Sequence, residues 1–446
     1  MKNNIAKIPH GTMIMLGFLG IIIIGTVILT LPIASKDGLP TSFADAIFTA
    51  TSATCVTGLV VADTYSKWTL FGQLVILSLI QIGGLGFITI GVYIATIFKK
   101  KISLKSREAI HESISTMQTA GTVRLTRRLI TGTFIIEGIG AVLLATSFIP
   151  DFGIAQGIYY SIFHSISAFC NAGFDLMGVI EPYTSLTPYQ TDFVVNITLI
   201  MLIIVGGLGF IVWDDIMHNK WKIRKYLLHS KIVLSATIVL LITGSIGFFI
   251  LEYNHLLADM SFLEKVLAAT FSSITPRTAG FNTIDTGALS NGSKLLTMIF
   301  MFIGGNSGST AGGVKTTTMV VILSFAWSMI RRTQGINIFG RRLNEEVIKK
   351  ANAVIVVNMT FVTVASMLIF AMQELNFEDV MFETFSAIGT AGMSTGITRD
   401  LNDISKIIVT VLMYFGRIGS LSFATAFAQR RTSAPVQQPV EKIVVG

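Results

Sequence analysis

Four short segments of the sequence share one pattern: FTATSATCVTG (48–58), FHSISAFCNAG (163–173), FSSITPRTAG (271–280) and FETFSAIGTAG (382–392). Each begins with a phenylalanine, carries a hydroxyl residue four positions later, and ends with a glycine that a hydrophobic residue follows. The third copy is one residue shorter. Because one copy falls in each quarter of the chain, the sequence indicates four internal repeats.

A second glycine-rich element follows each of these segments after a hydrophobic stretch. The four elements are IGGLGF (82–87), VGGLGF (205–210), IGGNSGS (303–309) and GRIGSLSF (416–423). Each quarter therefore combines a hydrophobic span, a short helix, a glycine turn and a second span. We expect repeats at 1–100 (pore loop near 43–60), 101–218 (pore loop near 156–175), 219–332 (pore loop near 262–282, broken last span 304–318) and 333–430 (pore loop near 377–394), then a C-terminal tail at 431–446.

The composition indicates a membrane protein. Of the 446 residues, 52% are hydrophobic and 13% are charged, whereas about 25% are charged in an average soluble domain. A helix that crosses a bilayer needs about 20 apolar residues. The predicted spans are 12–33, 69–98, 129–149, 190–213, 232–251, 295–330, 351–373 and 405–428. The stretches 43–53, 156–169, 262–274 and 377–387 are too short to cross, and we predict re-entrant half-helices there.

The basic residues indicate the orientation of the spans. Cytoplasmic loops carry an excess of Lys and Arg, and most bases fall in the loops 99–128, 218–231 and 331–350 or near the termini. We therefore expect both termini in the cytoplasm and four parallel repeats about an axis along the membrane normal. The bases expected on the opposite, outer side are Lys36, Lys67, Lys265, Arg277, Lys294, Arg399 and Lys406.

Acidic residues show the opposite bias, and several follow the pore segments: Asp63, Asp175, Asp285 and Asp400. An acidic outer face concentrates cations, although membrane topology alone also exports acids. The basic loops suit docking of a cytoplasmic partner or of anionic membrane lipid, and equally a plain topological role. The net charge of +8 does not indicate nucleic-acid binding, because the bases alternate with long apolar spans.

The glycines that end the repeated segments are candidate ion-binding positions. Irregular backbone at membrane depth persists only where protein buries it or where it lines a polar cavity. Four glycine turns about one axis form rings of carbonyl oxygens, which replace the hydration shell of K⁺. Helix packing is the alternative for any single glycine, but the recurrence in four repeats favours a filter. The predicted filter comprises Val56, Thr57, Gly58, Asn171, Ala172, Gly173, Thr278, Ala279, Gly280, Thr390, Ala391 and Gly392.

With these segments and eight spans, the chain resembles the Trk/Ktr/HKT superfamily of cation transporters over residues 12–430. It begins directly with the first repeat, which looks most like the membrane subunit of the bacterial Ktr system (KtrB type). The resemblance implies an all-α membrane protein with a K⁺-channel-like pseudo-fourfold pore and eight transmembrane helices. It also implies K⁺ uptake across the bacterial cytoplasmic membrane, Na⁺ as a frequent activator, and no cofactor on this chain. A homodimer and a cytoplasmic nucleotide-binding ring of RCK type (KtrA type) are the implied partners. A serine at the first filter glycine marks Na⁺-preferring plant relatives, so Gly58 favours K⁺.

The sixth predicted span is interrupted by GGNSGSTAGG (304–313) and then Lys315. Such a break at mid-membrane is tolerated beside a water-filled path. We therefore expect a gate below the filter, which the resemblance also implies; a glycine-rich packing kink is the alternative. The predicted gate comprises Gly304, Gly305, Asn306, Ser307, Gly308, Gly312, Gly313, Lys315 and Arg417.

Arg417 lies in the last span, at the position of the glycine-rich elements in the other repeats. An intramembrane arginine is costly and usually paired or functional. We expect either a positive barrier facing the pore or a side chain satisfied by loop carbonyls or by Glu137, and these roles are compatible.

Two other classes of protein fit the sequence less well. An ion-coupled symporter for an organic solute would need broken helices in paired repeats, and the sequence clearly breaks only one span. A membrane enzyme would need a Ser/His/Asp set, metal-ligand spacing or paired intramembrane carboxylates. The sequence has none of these, so we expect no catalytic residues.

Overall fold

The computed structural model describes residues 10–86, 89–91, 122–333 and 335–419. The helices are α1 (His10–Leu29), α2 (Phe43–Thr54), α3 (Thr64–Lys67), α4 (Leu70–Leu85), α5 (Thr122–Phe152), α6 (Ile154–Phe169), α7 (Phe193–Leu208), α8 (Phe210–Asn219), α9 (Leu228–Glu252), α10 (Phe262–Ile274), α11 (Asn291–Phe302), α12 (Thr316–Ile330), α13 (Glu345–Met372), α14 (Phe377–Gly389) and α15 (Asp403–Ile418). Strands β1 (Asn337–Ile338) and β2 (Arg341–Arg342) form a short antiparallel hairpin. The predicted tail 431–446, most of the loop 99–128 and the far ends of spans 69–98 and 405–428 lie outside the described residues.

Four long apolar helices, one in each quarter of the chain, are α1, α5, α9 and α13. In the described part of the chain, these four are long and apolar enough to cross a membrane as single helices. Their outward sides expose large apolar side chains, such as Val142 at 69%, Ile250 at 68% and Met367 at 66%. Because extended apolar surface on this scale is unfavourable in water, these faces suit a lipid environment.

A short helix follows each long one, at the bounds that the half-helix prediction gave to within a few residues. These helices are α2, α6, α10 and α14. The first begins at Ser42, whose side chain caps the amide of Asp45, and the third begins with a capping box between Ser261 and Glu264. The phenylalanine that opens each repeated segment is buried in all four copies: Phe48, Phe163, Phe271 and Phe382. The shared pattern therefore fixes the packing of each short helix.

The helix that follows the pore loop in each quarter also begins in the same way, with a capping side chain. The residues that cap α4, α7, α11 and α15 each accept a hydrogen bond from an amide three residues on: Thr69, Asp192, Ser290 and Asn402. Three of these helices end at a glycine with positive φ: Gly86 (81°), Gly209 (96°) and Gly419 (90°). Residues other than glycine rarely adopt this conformation.

The span predicted over 190–213 consists of two helices, α7 and α8. The chain bends by 95° between α7 and α8, since Gly209 carries the positive φ that ends α7. The predicted break in 295–330 is confirmed, because α11 ends at Phe302 and α12 begins at Thr316.

Side chains at one repeated helix position join neighbouring repeats. The fourth residue of α4, α11 and α15 contacts the short helix of the next repeat, and the pairs are Gln73–Tyr159 (3.0 Å), Lys294–Glu378 (3.2 Å) and Lys406–Asp45 (2.7 Å). The last pair links the fourth quarter back to the first. At the same position of α7, Asn196 instead donates to carbonyls of its own segment.

Candidate functional site

The four repeated glycines meet in a closed ring. A Cβ atom built on any of these glycines would meet a carbonyl oxygen of the next loop. For Gly58 this oxygen is that of Ala172 at 2.6 Å, for Gly173 that of Ala279 at 2.9 Å, and for Gly280 that of Ala391 at 3.0 Å. A Cβ atom on Gly392 would overlap the carbonyl oxygen of Thr57. Each glycine thus faces the carbonyl of the next pore loop, and the fourth returns to the first. Four loops that are distant in sequence therefore surround one axis, and each glycine position has room for a hydrogen atom but not for a side chain.

All four loops follow the same unusual backbone path. The residue two before each glycine has a left-handed φ: Val56 (57°), Asn171 (59°), Thr278 (73°) and Thr390 (50°). The glycines are left-handed as well, at 95°, 68°, 78° and 82° in chain order. A left-handed φ outside glycine costs about 1–3 kcal/mol and persists only where the surroundings enforce it. The fold therefore holds each loop in a conformation that the free chain avoids.

The amides of the loops are bonded on the side of the short helices. The middle residue of each loop donates its N–H to the carbonyl of the repeated hydroxyl residue: Thr57 to Ser52 (2.8 Å), Ala172 to Ser167 (2.8 Å), Ala279 to Thr275 (2.9 Å) and Ala391 to Ser386 (2.8 Å). In the described part of the chain, no backbone N–H donates to a carbonyl oxygen of the predicted filter residues. Buried carbonyls normally have a partner, so these oxygens are available to a cation in the ring.

A cavity of about 370 Å³ opens on one side of the ring, and all four filter glycines line it. We call this cavity the vestibule. Its wall includes the carboxyl groups of Asp63, Asp175, Glu181 and Asp285, with Arg399 as the basic group. Carboxylates around a concave wall raise the local concentration of cations. The vestibule is therefore suited to supply cations to the ring.

Asp175 follows the second pore loop by two residues and is held by the amide of Met177 at 3.0 Å. Burial, and after it the nearby carboxylate of Asp63, raise the pKa of Asp175 to about 7. Asp63 accepts hydrogen bonds from the amide and hydroxyl of Ser66 and from the amide of Tyr183. The vestibule thus contains one carboxyl group that gains or loses its proton near neutral pH.

The interrupted span forms a loop on the other side of the ring, between Ile303 and Val314, which lie side by side as a bridge. We call residues 304–313 the gate loop. It rests on the glycine-rich elements of other repeats: the amide of Asn306 donates to Gly207 (3.2 Å), that of Gly313 to Gly416 (3.2 Å), and Gly308 accepts from Phe210 (2.8 Å). Gly304, Gly305, Asn306 and Gly312 are buried, whereas Ser307, Gly308 and Gly313 are partly exposed. The predicted gate glycines are therefore brought together beneath the filter.

Arg417 connects three parts of this region. Its guanidinium donates to the carbonyls of Thr310 in the gate loop and of Gly83 and Gly84 at the end of α4. The expectation that loop carbonyls satisfy this arginine is confirmed. Lys315 donates to the carbonyls of Ala311 (2.8 Å) and Gly312 (3.2 Å). Both basic residues of the predicted gate therefore bind carbonyl groups of the gate loop.

The sequence did not identify the acceptor of Arg417 in the gate loop, and it misplaced one residue. Thr310 carries the carbonyl that Arg417 binds, but its hydroxyl type is common in the interrupted stretch and gave no separate signal. The placement of Arg277 with the outer bases is wrong, because its Nη2 lies 3.5 Å from the hydroxyl of Thr316 at the base of α12. Its position one residue before Thr278, inside the repeated pattern, is the signal that would have located it. Glu137 accepts a hydrogen bond from Gln81 at 3.1 Å.

Comparison with known proteins agrees with this geometry. Residues 17–437 match the sequence profile of the TrkH family, described as a cation transport protein. The chain belongs to the TrkH family. Its members are transporters, in agreement with the expectation that this protein is not an enzyme. A TrkH-family chain with long apolar helices is a membrane protein.

Relatives of known name cover nearly the full length. The chain is 42% identical to the potassium/sodium uptake protein NtpJ of Enterococcus hirae over 100% of this chain and 99% of that one. It is 41% identical to the Ktr system potassium uptake protein B of Bacillus subtilis over 94% and 93% of the two chains. The crystal structure of the potassium transporter TrkH from Vibrio parahaemolyticus superposes with a TM-score of 0.77 at 18% identity, covering 96% of this chain and 86% of that one. This last likeness shows the fold.

Proposed function

We propose that this TrkH-family protein is the ion-translocating subunit of a bacterial potassium uptake system. In this proposal K⁺ passes through a selectivity filter made of the four glycine-containing pore loops. The observation that carries it is the closed ring, in which each filter glycine faces a carbonyl of the next loop and the carbonyls accept no backbone hydrogen bond among the described residues. Rings of free carbonyl oxygens replace the hydration shell of K⁺.

The vestibule is the extracellular entrance in this proposal. The Lys and Arg bias puts the termini in the cytoplasm. The first span of each repeat then ends on the outer side, and the short helix that follows it reaches the ring from that side. The four carboxyl groups of the vestibule favour entry of cations over anions. Ions that enter from this side reach the filter glycines directly, because those glycines form part of the vestibule wall.

The gate loop and Arg417 close the path below the filter. Arg417 places a positive charge beside the ion path, and its bonds to Thr310, Gly83 and Gly84 fasten the gate loop to α4. Opening then requires the loop to leave these carbonyls. We assign the energy for that step to the cytoplasmic RCK-type ring that the family resemblance implies; the Bacillus subtilis relative is named as protein B of a Ktr system, which supports a system of several proteins.

The remaining features of the proposal rest on the family resemblance and on the relatives. They are a homodimer with one pore per subunit, eight spans in four parallel repeats, residence in the bacterial cytoplasmic membrane, contact with anionic lipid and activation by Na⁺. The name of the Enterococcus hirae relative covers both potassium and sodium, which supports the involvement of Na⁺. The residues described here act through backbone carbonyls, and the proposal needs no cofactor on this chain.

The test is K⁺ uptake in bacterial cells that lack their own K⁺ transporters. We expect the wild type, expressed with a cytoplasmic regulatory subunit, to restore growth at low K⁺. Gly58→Ser and Gly280→Ser should lose K⁺ affinity or selectivity, because a Cβ at either position lies within 3.0 Å of a carbonyl oxygen of the next loop. Failure of the wild type to take up K⁺, or serine variants that match it, would make these glycines packing residues.

A further inference from the structure

The side chain of Asn171 contacts both the filter and the gate loop. Asn171 is the first residue of the second filter segment, and its Nδ2 donates to the hydroxyl of Thr278 in the third segment at 3.4 Å. Its Oδ1 accepts from the hydroxyl of Thr310 in the gate loop at 3.4 Å. The carboxamide therefore spans the distance between a neighbouring filter segment and the gate. All three residues are buried, with at most 1% of their surface exposed.

The other repeats have a shorter side chain at the position of Asn171. The equivalent residues are Val56, Thr278 and Thr390. All four positions have a left-handed φ, which asparagine adopts more readily than β-branched residues do. Asparagine at this position thus satisfies the backbone, and its carboxamide oxygen also accepts a hydrogen bond from the gate loop. The side chain of Thr390 lies against the gate loop as well, because a Cβ built on Gly312 would overlap its hydroxyl.

Thr310 is held from several sides in this arrangement. Its hydroxyl is shared between Asn171 and the carbonyl of Phe169 at 3.2 Å. Its amide donates to Gly206 at 3.4 Å, and its carbonyl accepts from Arg417. A residue of the gate loop is therefore bound at once by the second filter segment, the second repeat's broken helix and the fourth repeat.

A second set of contacts joins the third filter segment to the start of the gate loop. Arg277, next to Thr278, donates to the hydroxyl of Thr316, and that hydroxyl donates to the carbonyl of Gly304 at 2.9 Å. The third filter segment is therefore linked to the middle of the gate loop through Asn171 and to its base through Arg277 and Thr316. Displacement of the loop must break the polar contacts that also orient this segment.

We propose that Asn171 is a positioning residue that latches the closed gate loop to the filter by joining Thr278 to Thr310. This proposal rests on the proposed function, since it presumes a K⁺ path through the ring. The latch exists while the loop is closed and breaks when the loop leaves. Removing the latch therefore favours the open loop and raises basal flux. When only Thr310 is altered, the selectivity of the open filter stays unchanged, because Thr310 is not a filter residue. Coupling of this kind is reciprocal, so the third filter segment influences the gate as well.

The test is a double-mutant cycle between Thr278 and Thr310, measured as ⁸⁶Rb⁺ flux through the purified chain in liposomes. The variants are Thr278→Val, Thr310→Val and both together. We expect valine to be tolerated at position 278, because Val56 occupies the equivalent position in the first repeat. In the described hydrogen bonds the two threonines meet only through Asn171, so their effects interact only if the latch exists. Thr297→Val is the matched control, because Thr297 is equally buried and its hydroxyl bonds within its own helix.

We expect each single variant to raise flux roughly threefold, the size of one modest hydrogen bond. The double variant should stay near threefold instead of reaching roughly ninefold. Asn171→Thr, which installs the residue of the third and fourth repeats, should show the same rise. Single variants that match Thr297→Val, or effects that multiply in the double variant, overturn the latch. A wild type that carries no Rb⁺ in liposomes or K⁺ in cells overturns the proposed function itself, which is a different result.

Discussion

The pore loops and the gate loop follow opposite plans. The pore loops occur four times with the same left-handed residues, the same amide contact to the short helix and the same approach of glycine to carbonyl. The gate loop belongs to one repeat, whereas the other three have a single glycine break such as Gly86 or Gly209 at the corresponding position. Its contacts include the glycine-rich elements of the second and fourth repeats, Asn171 of the second filter segment and Arg417 of the fourth repeat.

This difference separates two tasks. Equal binding of an ion from all sides requires repeated geometry, and the ring of carbonyls provides it. Closure of a path requires one element that moves relative to the others, and a repeated element would have to move four times at once. We infer that the repeated part selects the ion and that the unique part controls its passage.

The largest expected effect belongs to the ring. In Gly392→Ser, the new Cβ would overlap the carbonyl oxygen of Thr57 at a backbone conformation that serine avoids. The K⁺/Na⁺ selectivity of uptake should fall by roughly tenfold or more, because ~1.4 kcal/mol of differential ion binding is a factor of ten. Uptake of ⁴²K⁺ and ²²Na⁺ in the same cells measures it.

Gly138→Ser is the control for that variant, since no atom lies within 4 Å of a Cβ built there. Gly138→Ser should retain wild-type selectivity. Equal loss in both variants would mean that serine harms these helices generally and that the ring has no special role.

A smaller change should follow from Arg417. Arg417→Gln removes the charge and the forked contacts to Thr310, Gly83 and Gly84, so basal flux should rise by roughly fivefold. Arg417→Lys keeps the charge without the planar fork. A raised flux in both variants indicates a latch, whereas a raised flux in the glutamine variant alone indicates a pure charge barrier. Wild-type flux in both would refute either role.

Asp175 should give a modest dependence on external pH. Its pKa of about 7 means that the carboxyl is mostly ionised at pH 8 and mostly protonated at pH 6. Loss of this negative charge from a vestibule shared with Asp63, Glu181, Asp285 and Arg399 should lower uptake at limiting K⁺ by roughly threefold.

Asp175→Asn should remove this step and give the low rate at both pH values, measured as initial uptake between pH 6 and 8. Asp259→Asn is the control, because Asp259 is exposed and is not part of the vestibule wall. A pH step of unchanged size in Asp175→Asn would assign the proton to another group.

The smallest effect concerns the contacts between repeats. The pair of Lys406 and Asp45 is partly exposed, and such pairs contribute at most about 1 kcal/mol. Lys406→Gln should lower the melting temperature of the detergent-solubilised protein by about 1–2 °C. The exchange of charges in Lys406→Asp with Asp45→Lys should restore it. If the exchanged pair melts no higher than Lys406→Gln alone, the contact is not a clamp between repeats.

Much of this architecture was predictable because the repeats carry it. The phenylalanine, hydroxyl residue and glycine of each repeated segment identified the short helices and the filter positions, since each residue type has one local task. The proposed ion contacts are backbone contacts, so a glycine pattern was enough to predict them. The break in the sixth span was also visible as a run of glycines and small hydroxyl residues.

The parts that the sequence did not predict depend on contacts between distant residues. At Gly209, where the chain bends, the gate loop leaves no room for a side chain, because a Cβ there would lie only 2.7 Å from the carbonyl oxygen of Ser307. The link from Asn171 to Thr278 and Thr310 joins the second filter segment, the third filter segment and the gate loop. The directions of these side chains cannot be predicted from a local sequence pattern. Arg277 was misplaced because charge counting treats every base outside a span as a surface residue.

The most direct test of the central claim removes the gate loop and leaves the ring intact. The deletion removes residues 305–313, and Ile303 and Val314, on either side of this segment, lie side by side. Flux of ⁸⁶Rb⁺ and ²²Na⁺ is then measured in liposomes for the wild type, the deletion and a control that deletes Phe339 and Gly340 from the exposed hairpin. We predict that the gate deletion raises Rb⁺ flux by roughly fivefold or more at wild-type selectivity, while the control matches the wild type. A folded deletion variant with unchanged or lower flux, or with selectivity lost to the extent seen in Gly392→Ser, would contradict the separation of filter from gate.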